Sequence, residues 1–85
     1  MKSSNILLSL GEPLIVSRDS NENVCVHYDC GFVKDGSFII GVCGRGDDFE
    51  SACDDYLEQI RGKTLVIDFP KCFPTRERKE IRVLG

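Results

Sequence analysis

Residues Gly44-Arg-Gly-Asp-Asp-Phe-Glu-Ser-Ala-Cys-Asp-Asp-Tyr-Leu-Glu-Gln-Ile-Arg-Gly62 constrain the fold of this chain more than any other stretch, because apolar and acidic side chains alternate there at helical spacing. Phe49, Ala52, Cys53, Tyr56, Leu57 and Ile60 recur every three or four residues, which stacks them on one side of an α-helix. Asp47, Asp48, Glu50, Asp54, Asp55 and Glu58 fall on the other side. The ends are marked as well. Asp47 or Asp48 can cap the first N–H groups, and Asp47 with Glu50 has capping-box spacing. Gly62 stops the helix, with Arg61 and Lys63 near its negative end. The spacing predicts a helix from about 47 to 61 whose apolar flank must be covered by something else.

The rest of the chain supplies strands. Ile6 to Leu10, Leu14 to Ser17, Val24 to Tyr28 and Phe38 to Cys43 are short β-like runs separated by turn signals. Among those signals, Lys34-Asp35-Gly36 carries the Asp-Gly step of a tight hairpin. Lys63 to Phe69 is rich in β-branched residues and ends at Pro70, so it is expected at the centre of a sheet. Pro70 to Lys79 reads as a polar loop, and Glu80 to Leu84 as a last strand hairpinned with the one before. The expected fold is α+β, in the order ββββαββ: an antiparallel sheet of about five or six strands with one amphipathic helix packed across one face. The 85 residues are expected to form a single domain, 1–85.

Composition narrows the class. A 41% hydrophobic and 29% charged content is that of a globular chain rather than a disordered or fibrous one. No apolar run approaches the roughly 20 residues of a membrane span. Met1-Lys-Ser-Ser4 leads into a strand-like stretch rather than a signal-peptide core, so a cytoplasmic location is expected. Five cysteines, at 25, 30, 43, 53 and 72, are odd in number and irregular in spacing, which predicts reduced thiols rather than a disulfide framework.

Charge is unevenly spread around a net of −3. Residues 44–60 hold one base against six acids, and residues 61–85 hold seven bases against three. The six carboxylates between 47 and 58 span about 16 Å of helix, or one charge per roughly 3 Å, near the ~3.4 Å per phosphate of a DNA strand. Such a face suits a basic groove on another macromolecule, and Asp48, Asp54, Asp55 and Glu58 are the expected partner-binding residues. The alternative surface is the basic C-terminal hairpin, Lys71, Arg76, Arg78 and Lys79, with Phe73 as a stacking ring, which would make a small nucleic-acid- or ligand-binding module.

Signs of catalysis are sparse. Gly41-Val-Cys-Gly-Arg-Gly46 leads into the helix as an anion cradle would, but it has neither dinucleotide nor P-loop spacing. Cys25, His27, Cys30 and Cys43 are suitable zinc ligands by type, without the paired spacing of structural zinc sites. Cys72, beside Lys71, is the thiol expected to be most reactive, and no oxyanion partner accompanies it. The sequence therefore predicts no enzyme, no metal and no cofactor.

Gly44 to Val66, followed by Arg78-Lys-Glu-Ile-Arg-Val-Leu84, resembles small uncharacterised phage and prophage proteins of Gram-positive bacteria. The shared pattern is a glycine pair, an acidic-aromatic step, Ala-Cys, a helical Tyr, Gly-Lys-Thr-Leu-Val and a charged C-terminal strand. It covers about the last half of the chain and rests mostly on cap, core and strand positions. Phe38 to Ile60 is also similar to HicB-type antitoxin domains, though no DNA-binding segment follows and the proline-bearing loop before the helix is absent. The phage resemblance implies a small non-enzymatic accessory protein that binds and inhibits a bacterial host protein, a class that includes inhibitors of defence nucleases such as anti-CRISPR proteins. A monomer or a homodimer is equally compatible with these features, since an unpaired edge such as Ile81 to Leu84 can add a strand.

Overall fold

In the computed structural model, which describes residues 2–69 and 77–83, the chain runs α1 (Ser3–Ser9), β1 (Leu14–Arg18), β2 (Val24–Tyr28), β3 (Gly31–Asp35), β4 (Phe38–Ile40), β5 (Gly44–Gly46), α2 (Phe49–Ile60), β6 (Thr64–Phe69) and β7 (Glu77–Arg82). The class is α+β with antiparallel pairing throughout. The single sheet expected from sequence is instead two: a three-stranded sheet ordered β1-β2-β5 and a four-stranded sheet ordered β4-β3-β6-β7. The chain passes from one sheet to the other between β2 and β3, through Cys30 in the left-handed region at φ 55°. That junction is tied on both sides, since Asp29 N donates to Pro13 O and Asp68 N donates to Cys30 O.

Two elements differ in kind from expectation. Ile6 to Leu10 is not a strand, because Ser3–Ser9 is helical. Leu7 is fully buried, and Ile6 and Leu10 pack beside it; a helix brings these three positions to one side, whereas a strand would turn Leu7 away from Ile6 and Leu10. Phe38 to Cys43 is not one strand either. Only Phe38–Ile40 pairs with β3, and Gly44–Gly46 forms a separate strand against β2. Gly31–Asp35, unassigned from sequence, forms β3 and pairs with both β4 and β6. By contrast β2 keeps its expected bounds, and β6 lies between β3 and β7 as a central strand should. Leu65, Val66 and Ile67 of β6 are all fully buried.

The core draws Leu7 from α1, Val24, Val26 and Tyr28 from β2, Val33 from β3, Ala52, Cys53, Tyr56, Leu57 and Ile60 from α2, Leu65 and Ile67 from β6, and Val83 beyond β7. Both sheets and both helices thus share one apolar cluster. Phe49 departs from the stripe assigned to it and is exposed at the start of α2.

Candidate functional site

The candidate site is the outer side of α2, and its geometry follows from how the inner side is seated. β5 runs under the helix as Gly44-Arg45-Gly46, the central residue exposed. A Cβ on Gly44 would lie 2.2 Å from Ala52 O and 2.5 Å from Tyr56 Cβ, and one on Gly46 would lie 2.6 Å from Ala52 N. These glycines let strand and helix backbones approach more closely than any side chain permits. The space in which they would cradle an anion is filled by α2 itself.

Two tyrosines fix the helix from within. Tyr28 and Tyr56 are fully buried, their rings tilted at 58° with centroids 5.6 Å apart. Tyr56 Oη accepts from Tyr28 N at 3.1 Å, and Tyr28 Oη donates to Leu7 O at 2.6 Å, so one chain of bonds links α2, β2 and α1. Burial pushes both phenols above their ordinary range. At the far end Gly62 takes φ 76°, and its N–H donates to Val83 O, which turns the chain directly into the four-stranded sheet.

The acidic residues divide by position around the helix. Asp48, not Asp47, is the N-cap: its carboxylate accepts from Ser51 N at 2.8 Å, and that bond holds its pKa below the ordinary carboxylate value. The expected Asp47–Glu50 capping box does not form, because Glu50 turns to α1 and accepts from Ser4 Oγ. On the same flank Asp54 accepts from Ser3 Oγ at 2.5 Å. On the opposite flank Asp55 accepts from Arg45 N at 2.9 Å, and Gln59 donates to Asp55 and to Cys43 O. The flanking carboxylates clip the helix to α1 on one side and β5 on the other, while Asp47 and Glu58 stand exposed between them.

These bonds orient the carboxylates without cancelling their charge. Among the described residues the ion pairs are Lys34–Glu80, Arg45–Asp19 and Lys79–Glu12, none of which includes an α2 carboxylate. Beside the N-terminus of α2 an apolar groove of about 390 Å³ is lined by Val16, Ser17, Arg18, Val24, Asp47, Asp48 and Phe49. Val16 and Phe49 are exposed there, next to the acidic face. Sequence periodicity assigns Phe49 to the core and so misses this groove.

The alternative basic surface is distributed differently. Lys71 and Arg76, like Cys72 and Phe73, lie outside the described residues. Arg78 and Lys79 are consecutive on β7 and project from opposite faces of the strand. Lys79 reaches Glu12 at 3.1 Å, and Arg78 is exposed.

Cys25, Cys30, Cys43 and Cys53 are free thiols, and Cys25 and Cys53 are buried. Burial raises Cys53 to about 11, so it stays protonated. His27 and Cys30 line a second cleft of about 360 Å³ with Gly31, Phe32, Gly41 and Val42, apart from Cys25 and Cys43. His27 Nδ1 lies 2.9 Å from Tyr28 O, and since a carbonyl only accepts, Nδ1 is the donor in that contact. Desolvation and neighbouring Asp29 raise the Cys30 thiol, which weakens it as a nucleophile. No group of three or more metal-ligating side chains is assembled among the described residues, and no helix among them is long and apolar enough to cross a membrane. Comparison with family models, with curated proteins and with solved structures returns no match for this chain.

Proposed function

We propose that this chain is a non-enzymatic, phage-derived accessory protein that binds and inhibits a bacterial host protein through the outer face of α2. The observation that carries this reading is the set of oriented carboxylates outside the described ion pairs. Ser3, Arg45 N and Ser51 N position Asp54, Asp55 and Asp48, and Glu58 projects beside them. Charges fixed in this way steer a basic partner and lose little side-chain freedom on contact. The adjoining groove at Val16 and Phe49 offers the desolvated apolar contact from which affinity comes. A host surface that binds nucleic acid, such as the groove of a defence nuclease, has the matching charge, and the protein acts there within the bacterial cytoplasm.

The test is capture from a bacterial lysate on immobilised protein, followed by assay of the captured host protein with and without free protein. Capture should be salt-sensitive, displaced by DNA or heparin, and lost with Asp54→Lys/Glu58→Lys, and the free protein should inhibit. Asp55 is left intact because it holds the backbone of β5 at Arg45 N, whereas Asp54 gives up only an exposed serine hydroxyl. Undiminished capture by the double variant rejects this surface. Direct retention of the protein on nucleic acid, lost with Arg78→Gln, would favour the basic hairpin instead.

A further inference from the structure

The two edges of the four-stranded sheet are chemically unlike. β7 closes one edge with Glu77-Arg-Lys-Glu-Ile-Arg82, charged at five of its six positions. Charge on an edge strand discourages pairing with another chain. β4 closes the other edge with Phe38-Ile39-Ile40, and all three side chains are exposed, at 71, 45 and 43%. Residues 36–44 contain no charged side chain and no proline, so apart from its short length β4 lacks the charge and proline that ordinarily protect an edge strand.

We propose that β4 is where two copies of this chain pair, edge to edge and antiparallel, joining two four-stranded sheets into one of eight strands. β4 already pairs with β3 along one side, through Val33↔Ile40, Lys34↔Ile39 and Asp35↔Phe38, and its other side is the sheet margin. Antiparallel pairing about Ile39 sets Ile39 against Ile39 and Phe38 against Ile40, so every cross-strand pair is apolar and no charge is buried. A second copy satisfies this pattern by symmetry, and the same patch serves both partners.

Electrostatics favour this edge for self-association over the acidic side. Each chain carries −3 overall, concentrated on α2, which packs against β5 and β2 of the other sheet. Pairing through β4 brings neutral segments together and leaves both acidic faces away from the contact. The arrangement also closes at two, because each remaining edge of the joined sheet is a charged β7. It places the dimer contact at β4 rather than at the C-terminal edge, Ile81 to Leu84. The inference is independent of the host-binding reading, since it uses neither α2 carboxylate nor groove.

A three-residue edge is smaller than a standard interface, so the dimer should be weak and dissociate on dilution. Sedimentation velocity between about 5 and 500 µM is the test. The unmodified protein should pass from monomer to dimer and go no further. Ile39→Lys and Phe38→Lys should remain monomeric with unchanged far-UV circular dichroism, and Val16→Lys, on the edge of the other sheet, should still dimerise. A monomer at every concentration, growth beyond the dimer, or dimerisation by both β4 variants overturns the proposal. If neither variant folds, amide exchange of the unmodified protein decides: it should slow at residues 38–40 as concentration rises, and exchange that ignores concentration rejects the pairing.

Discussion

The inner and outer sides of α2 are built from the same twelve residues and are held by different physics. On the inner side Ala52, Cys53, Tyr56, Leu57 and Ile60 are buried, and helix and strand backbones meet across Gly44 and Gly46 with no room to spare. Packing there is over-determined, so small changes in volume are costly. On the outer side each carboxylate makes at most a few solvent-facing bonds, and its substitution changes charge more than stability. Fold and surface charge are therefore separable on this helix, and graded substitutions test that separation.

Gly44→Ala should have the largest effect. The added methyl meets Ala52 O and Tyr56 Cβ, and a backbone carbonyl within a helix cannot move aside. We expect a loss of about 3 kcal/mol or more, read by urea titration. A loss under about 1 kcal/mol would mean that β5 and α2 are not in contact at this depth.

Tyr56→Phe comes next. It keeps the ring but leaves Tyr28 N, a buried donor, without its acceptor, which costs about 1–3 kcal/mol. For a domain of this size each kcal/mol lowers the melting temperature by about 4–8 °C. Tyr28→Phe should cost less, because Leu7 O retains Leu10 N as a donor. Reversal of that order would remove the tyrosine pair as the clasp of the helix.

The smallest effect belongs to the outer face at acid pH. The folded pKa of Asp48 is depressed below 3.8 by the Ser51 cap bond, so its contribution is full above that value and fades as pH falls through the folded pKa. Asp48→Asn keeps a capping side chain without the charge. The gap in melting temperature between the two proteins should therefore be modest near pH 7 and close as pH falls through the lowered folded pKa of Asp48. A gap that widens on acidification would assign the cap to another group.

How much of this was legible in the sequence depended on where each element's stability comes from. α2 and β6 announce themselves because local pattern and burial agree: the three-and-four spacing of Cys53, Tyr56, Leu57 and Ile60, and the run rich in β-branched residues at Leu65 to Ile67. β2 does so through the alternation of Val24, Val26 and Tyr28, all of them buried. The segment at α1 offers Ile6, Leu8 and Leu10 to a strand period and Ile6, Leu7 and Leu10 to a helix, and tertiary bonds from Tyr28 and Glu50 decide it. β5 has no β-propensity to detect, since its glycines suit a strand only because a helix lies on them. The same limit applies to the site. The positions of Asp48, Asp54, Asp55 and Glu58 on the outer helix are readable from spacing, whereas the clips from Ser3 and Arg45 require the two elements that the sequence does not reveal.

The separation of the two faces is tested most directly by Asp54→Lys/Glu58→Lys, with thermal melting and host-protein capture measured on the same preparation. The variant should melt only slightly below the unmodified protein, having lost the exposed Ser3–Asp54 bond, with capture reduced to background. Full capture by the stably folded variant, or a collapse of its melting temperature, would contradict that separation.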